Sequence, residues 1–172
     1  MLLKDAIAAL KLMPETLQRH VTGLTDAQLH FQPEGGYFSV LENVCHLRDI
    51  EIEGYGMRLR RLLAEEHPTL PDLDGAQLAR ERRYREQTLQ PVLDAFVQAR
   101  GANLKVLENV TDAQLARTGY LEPVGEITLS RLLELWVEHD QGHSQELGKL
   151  QNTFRGSNTV HATDTSLNPG RT

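Results

Sequence analysis

The chain has 172 residues, of which 40% are hydrophobic and 24% charged, and it carries a net charge of −6. That length suits one domain around a single sizeable core, and the composition is that of an ordinary soluble globular protein. The acidic balance without a dominant basic stripe argues against a nucleic-acid partner, no apolar run approaches the roughly 20 residues of a membrane span, and one cysteine, Cys45, forbids an internal disulfide and fits a reducing compartment.

The N-terminal stretch Met1–Leu10 holds Lys4 and Asp5 inside its apolar run, so it reads as an amphipathic helix and not as a signal peptide, which points to a cytoplasmic protein. The first helix lies within Leu3–Leu24, with Pro14 as a kink or as the first-turn proline of a restart. The second runs from about Val40 to Ala64; Ser39 and Glu42 supply a capping box. His67-Pro-Thr-Leu-Pro-Asp72 is a turn-rich crossover. A third helical region covers Gly75–Asn109, and Thr88 with Pro91 marks a break and a fresh cap inside it. The fourth helix starts after Thr128 as N-cap and reaches about Phe154. Strand signals are nearly absent, since no segment alternates cleanly over six residues. The expectation is an all-α fold: a four-helix bundle over residues 1–154 with a long crossover between helices two and three, followed by a loose polar tail at 155–172.

Thr25-Asp-Ala-Gln-Leu29 recurs residue for residue as Thr111-Asp-Ala-Gln-Leu115, each copy after a helix and before a capped helix that carries histidine. Two readings stay open: a pair of similarly capped turns, or two pseudo-equivalent helix pairs facing each other. The arginine clusters Arg58/Arg60/Arg61 and Arg80/Arg82/Arg83/Arg85 are interleaved with glutamates and read first as solvated helix faces with local charge pairs, and second as an anion-recognition patch.

His139 and His143, four residues apart, share a helical stripe with Leu132, Trp136, Leu147, Leu150 and Phe154. Two polar rings on a core-facing stripe are costly unless something satisfies them. A metal ion does so well, because positions i and i+4 present two imidazoles to one point. His46 is the best candidate for a third ligand. On a wheel, however, it lies about 150° from the centre of its helix's apolar arc, on a stripe with Glu42, Asp49 and Glu53, so it should sit nearer the wet edge than the other two. His20, His30, His67 and His161 read as surface residues. Cys45 falls on the apolar face and reads as a small buried hydrophobe. Glu42, Asp49, Glu53 and Glu146 lie on or near the ligand stripes; each is either plain surface charge or a group that orients a histidine or moves a proton.

Two stretches carry a family resemblance: Phe38-Ser-Val-Leu-Glu-Asn-Val-Cys-His-Leu-Arg-Asp-Ile-Glu51, and Thr128 to Leu147 with its His139-x-x-x-His143. The order and spacing resemble the DinB/YfiT-like superfamily of metalloenzymes, whose pattern has an aromatic-Ser start, a His-Leu-x-Asp core and a late H-x-x-x-H. Phe38 stands where relatives commonly have tryptophan. The resemblance covers about residues 1–153. It implies a divalent metal, usually zinc or nickel, held by His46, His139 and His143, and it implies a homodimer. Its better-understood members include thiol-dependent S-transferases, isomerases and a hydrolase-like branch.

Three neutral imidazoles leave a metal its full charge and an open position, the catalytic pattern. Such a site can lower the pKa of bound water for hydrolysis or bind a low-molecular-weight thiol as thiolate. The expected function is therefore a metal-dependent enzyme acting on a small-molecule substrate, by thiol S-transfer first and hydrolysis second. The alternative is a non-catalytic bundle that binds metal or ligand and serves as an interaction module.

Overall fold

The computed structural model of the chain describes residues 1–160. Helix α1 spans Leu3–Val21 and passes through Pro14 without a break. A four-residue turn of helix, α2, follows at Asp26–Leu29. Helix α3, Val40–Asp49, opens on the Ser39/Glu42 capping box. It continues through a seven-residue π-helical segment, Ile50–Gly56, into α4 at Met57–Ala64. The crossover holds strand β1 (Thr69–Leu70) and the short helix α5 (Gly75–Glu81). Helix α6 covers Leu89–Leu107 with Thr88 at its N-cap, and a second four-residue helix, α7, covers Asp112–Leu115. Strands β2 (Thr118–Leu121) and β3 (Gly125–Thr128) lead into α8, Leu129–Val160.

Two expectations change. A three-stranded sheet exists in the order β1-β2-β3, with β1 parallel to β2 and β2 antiparallel to β3. Strands of two to four residues are too short to register as an alternating pattern. The fourth helix also outruns Phe154 and takes residues 155–160 from the expected tail; residues 161–172, His161 among them, lie outside the described residues.

The four long elements form the expected bundle. Helix α1 packs on α6 and α8, and α3 packs on the same two, so α1 and α3 face each other diagonally, as do α6 and α8. Each diagonal step is made through one copy of the Thr-Asp-Ala-Gln-Leu repeat. Both copies are capping boxes of the same geometry: Thr25 N–H donates to Gln28 Oε1 at 2.9 Å, and Thr111 N–H to Gln114 Oε1 at 2.9 Å. Units α1–α2–α3 and α6–α7–α8 are thus two matched halves, which favours the second reading of the repeat.

The π segment determines which residues face α8. His46 and Tyr55 are nine positions apart, about 180° on an uninterrupted α-helix. Yet both rings reach His139, with centroid distances of 5.4 and 5.5 Å. The wider turn between them rotates each residue by less than 100° and brings both to one side. It is locked from α6: Asn103 Nδ2 donates to the Glu51 carbonyl at 3.1 Å and to Glu51 Oε1 at 2.7 Å. Gly56 makes room for this, because a Cβ there would lie 2.6 Å from the Glu51 carbonyl oxygen and 2.8 Å from Asn103 Nδ2.

Beside it lies a buried charge cluster. Arg100, 1% exposed, donates to Glu51 Oε2 at 2.8 Å, to Asp140 Oδ2 at 2.7 Å and to the Leu10 carbonyl at 2.8 Å. Trp136 Nε1 adds a bond to Glu51 Oε2 at 3.2 Å. One guanidinium therefore ties α1, the π segment, α6 and α8 together. Removing one partner from a buried ion pair strands the other, at a cost of about 3–5 kcal/mol. Arg100→Leu should lose about that much in urea melts, and the double variant Arg100→Leu/Asp140→Asn should recover part of it. A loss below about 1 kcal/mol would mean that the cluster does not hold the bundle together.

Candidate metal centre

Helices α3 and α8 run antiparallel along their seam, since Asn43 meets His143, His46 meets His139 and Tyr55 meets Leu135. His46 therefore joins the i, i+4 pair of α8. Its Nε2 lies 3.2 Å from His139 Nε2, its ring centroid is 4.8 Å from that of His143, and the two α8 rings are 4.5 Å apart. One nitrogen from each ring can be chosen so that all lie within 4.8 Å of one another. Ligand bonds of about 2.0–2.1 Å bring nitrogens to roughly 3–4 Å, and the His46–His139 edge is already there.

The wet-edge position expected for His46 is wrong. His46 is 9% exposed, while the side chains of His139 and His143 are 22% and 14% exposed. The wheel assumed one continuous α-helix and a polar outer stripe. In the fold the π segment shifts the register, and α3 is buried nearly all round, Glu42 and Asp49 included.

Neighbouring residues fix the rings. Asn43 donates its Nδ2 to the carbonyls of Phe38 and Ser39 at 3.3 and 3.1 Å, which leaves Oδ1 as an acceptor. His143 Nδ1, 2.7 Å from that oxygen, must then carry the proton, so its Nε2 holds a lone pair. Glu146 Oε2 stands 3.4 Å from the same Nδ1. Phe38 and Tyr55 flank the cluster through His46 and His139. Gly75 closes it from α5: a Cβ there would lie 2.7 Å from His46 Cε1, so only glycine lets that backbone pass over the ring. His46 Nδ1 is buried without a hydrogen-bond partner.

These surroundings favour neutral rings. Burial, then the proximity of His143 and of His139, pulls the His46 pKa down to about 3. Burial also lowers that of His139, against the opposing pull of Asp140. Neutral imidazoles are what a metal requires, and an all-nitrogen donor set suits zinc, nickel or copper over magnesium and calcium. The donor set, the His143 tautomer and the convergence of the nitrogens all fit a divalent ion.

The other candidates divide. Glu146 lies beside the centre, as its position on the wheel indicated. Asp49 is held by Arg48, Arg82 and Tyr84, Glu53 by Arg82, and Glu42 by Arg85, Gln32 and the Ser39 cap. All three are thus structural. Cys45 is buried as expected, and burial pushes its thiol up to about 12. His30 and His67 are exposed, and His20 is half-buried. Among the described residues, Arg61–Glu65 and Arg83–Glu86 are the local pairs expected of the arginine clusters; Arg58 is buried against the Pro71 carbonyl, and Arg82 and Arg85 reach across to α3 and the π segment.

Comparison with known proteins gives the family and the fold. The sequence profile of the DinB superfamily matches residues 9–147. A provisionally named metal-dependent hydrolase of Geobacillus kaustophilus (strain HTA426) is 26% identical over 152 residues, 86% of this chain and 83% of the relative. YfiT of Bacillus subtilis (strain 168), likewise provisionally named a metal-dependent hydrolase, is 28% identical over 145 residues, 84% of this chain and 81% of its own. A solved structure of Bacillus subtilis YfiT superposes with a TM-score of 0.82 at 25% identity, covering 88% of this chain and 87% of that one; it is described as a probable metal-dependent hydrolase with an unusual four-helix bundle topology.

The depressed His46 pKa carries a sign for stability. The unfolded ring takes up a proton near pH 6.5 and the folded ring near 3, so stability is full above about 6.5 and falls as pH drops toward 3. In chelator, urea melts at pH 7 and pH 5 should differ by about 2 kcal/mol more for the wild type than for His46→Gln. Equal differences would contradict the buried, neutral state of His46.

Proposed function

The chain belongs to the DinB superfamily, and from that membership and the three-imidazole cluster we propose that it is a metal-dependent hydrolase of small molecules, with His46, His139 and His143 as the ligands of one zinc or nickel ion. The observation that carries this reading is the convergence of three largely buried imidazoles from two helices. Three protein nitrogens would hold the ion and leave it an open position for water or substrate. The ion, when bound, supplies a Lewis acid and a water of lowered pKa.

The chain's own residues do the rest. Asn43 keeps the His143 proton on Nδ1 and its lone pair toward the centre. Glu146 is held in its ionised form by the neighbouring His143, and its half-exposed carboxylate, on the Nδ1 side of that ring, supports Asn43 in fixing the ring's orientation. Phe38, Tyr55 and Gly75 pack against the rings and limit the space for bulk water. Hydrolysis ranks ahead of thiol S-transfer here because the relatives are named as hydrolases.

Tag-free protein stripped with chelator and reloaded with zinc or nickel provides the test, using a panel of small esters and amides with and without added thiol. Activity should vanish in chelator, return with metal, and be lost in His139→Ala. Asn43→Leu should bind metal about 10–100-fold more weakly while keeping its fold. Turnover that persists in chelator would overturn the reading. Turnover only with thiol would favour S-transfer, and tight metal binding without turnover on the panel would favour the non-catalytic bundle.

A further inference from the structure

A cleft of about 280 Å³ lies beside the centre, between the segment that enters α3 and the outer part of α8; Pro33, Tyr37, Phe38, Glu146, Lys149 and Leu150 line it. Two of these residues join it to the histidines. The Phe38 ring is 5.4 Å from that of His46, and Glu146 Oε2 is 3.4 Å from His143 Nδ1. We propose that this cleft is the substrate subsite, and that it selects small monoanions through Lys149. The proposal rests on the hydrolase reading and deepens it by naming a substrate class.

The walls are apolar and one of them is preset. Tyr37 is 63% exposed, an expensive position for a large ring with nothing over it. It follows Gly35 and Gly36, both with φ near +80°, and it packs back on the first of them, where a Cβ would lie 3.1 Å from the ring. Only a glycine pair lets the chain turn this tightly and lay the ring along the cleft. Leu150, Phe38 and Pro33 complete a surface for a flat or short aliphatic body.

The charges give the body a direction. Lys149 lies six residues beyond His143 on α8, about 9 Å along the axis. Its side chain borders the cleft, and among the described residues it forms no salt bridge, its charge being felt by Glu146 one turn back on α8. Glu146 stands between Lys149 and the centre. An anionic group is therefore welcome at the far end and repelled near the histidines. A ligand that satisfies both has one carboxylate, a short apolar middle, and an ester or amide at the centre. A cleft of this volume admits a compound of that size and little more.

The test uses the full chain in chelator, so that no metal competes for the carboxylate, with NMR titrations of 3-phenylpropanoate and its neutral isostere 3-phenylpropanamide. Wild-type protein should bind the carboxylate about fivefold more tightly. Lys149→Met should equalise the two without weakening the amide, and Tyr37→Ala should weaken both alike. His139→Ala, which disables the centre, should keep the preference; that separates failure of the subsite from failure of the hydrolase reading. Equal affinities in the wild type, a preference that survives Lys149→Met, or no saturable binding of the carboxylate would overturn the proposal.

Discussion

Three imidazoles buried where α3 meets α8 set the terms for the rest of the bundle. Polar rings at a helix seam must be hydrogen-bonded, ligated or left at a cost. The chain meets this with a layer of polar side chains beneath the rings. Asn43 accepts a hydrogen bond from His143 Nδ1–H, and Asp140, next to His139, is held by Arg100. Arg100 reaches on to Glu51, and Asn103 ties Glu51 into the π segment. The π segment is thus the one whose side chains are pinned, which holds the three rings together across an irregular helix. A site carried by packed helices and fixed by buried hydrogen bonds is stiff, as a preformed ligand set requires.

The two matched halves explain why the three histidines come from distant parts of the sequence. Each half is a long helix, a capped four-residue turn and a second long helix placed diagonally across the bundle. The second helices, α3 and α8, pack on each other along one seam, and both carry histidine there. The crossover through β1 and α5 reverses the chain between the halves and supplies Gly75 as the cover over His46. The parallel pairing of β1 with β2 then ties that crossover to the hairpin that leads into α8.

Much of this was legible in the residues. Ser39 with Glu42, the two Thr-Asp-Ala-Gln-Leu copies and the Thr88 cap mark helix starts that the fold confirms. The i, i+4 pair of α8 lies on a stripe whose members Leu132, Trp136, Leu147, Leu150 and Phe154 are all buried. The partner side was harder. His46 looked peripheral because a wheel has no means of seeing seven π-helical residues, and that register is set by Asn103, some fifty positions away. Arg100 could have been found: it sits at helical spacing among Leu93, Phe96, Asn103 and Leu107, all buried, and a lone cation on such a stripe implies a buried counter-charge. Asn43, three residues before His46, was on the ligand stripe as well. Nothing local distinguishes Gly75, whose role exists only once α5 is laid over the ring.

The central claim is that His46 and the α8 pair act as one ligand set in spite of the 93 positions between His46 and His139. X-ray absorption on tag-free, zinc-loaded protein measures this directly. Three imidazole nitrogens at about 2.0–2.1 Å and one lighter oxygen shell are predicted, falling to two imidazoles in His46→Ala. A spectrum with two or fewer imidazoles in the wild type, or one that His46→Ala leaves unchanged, would contradict it.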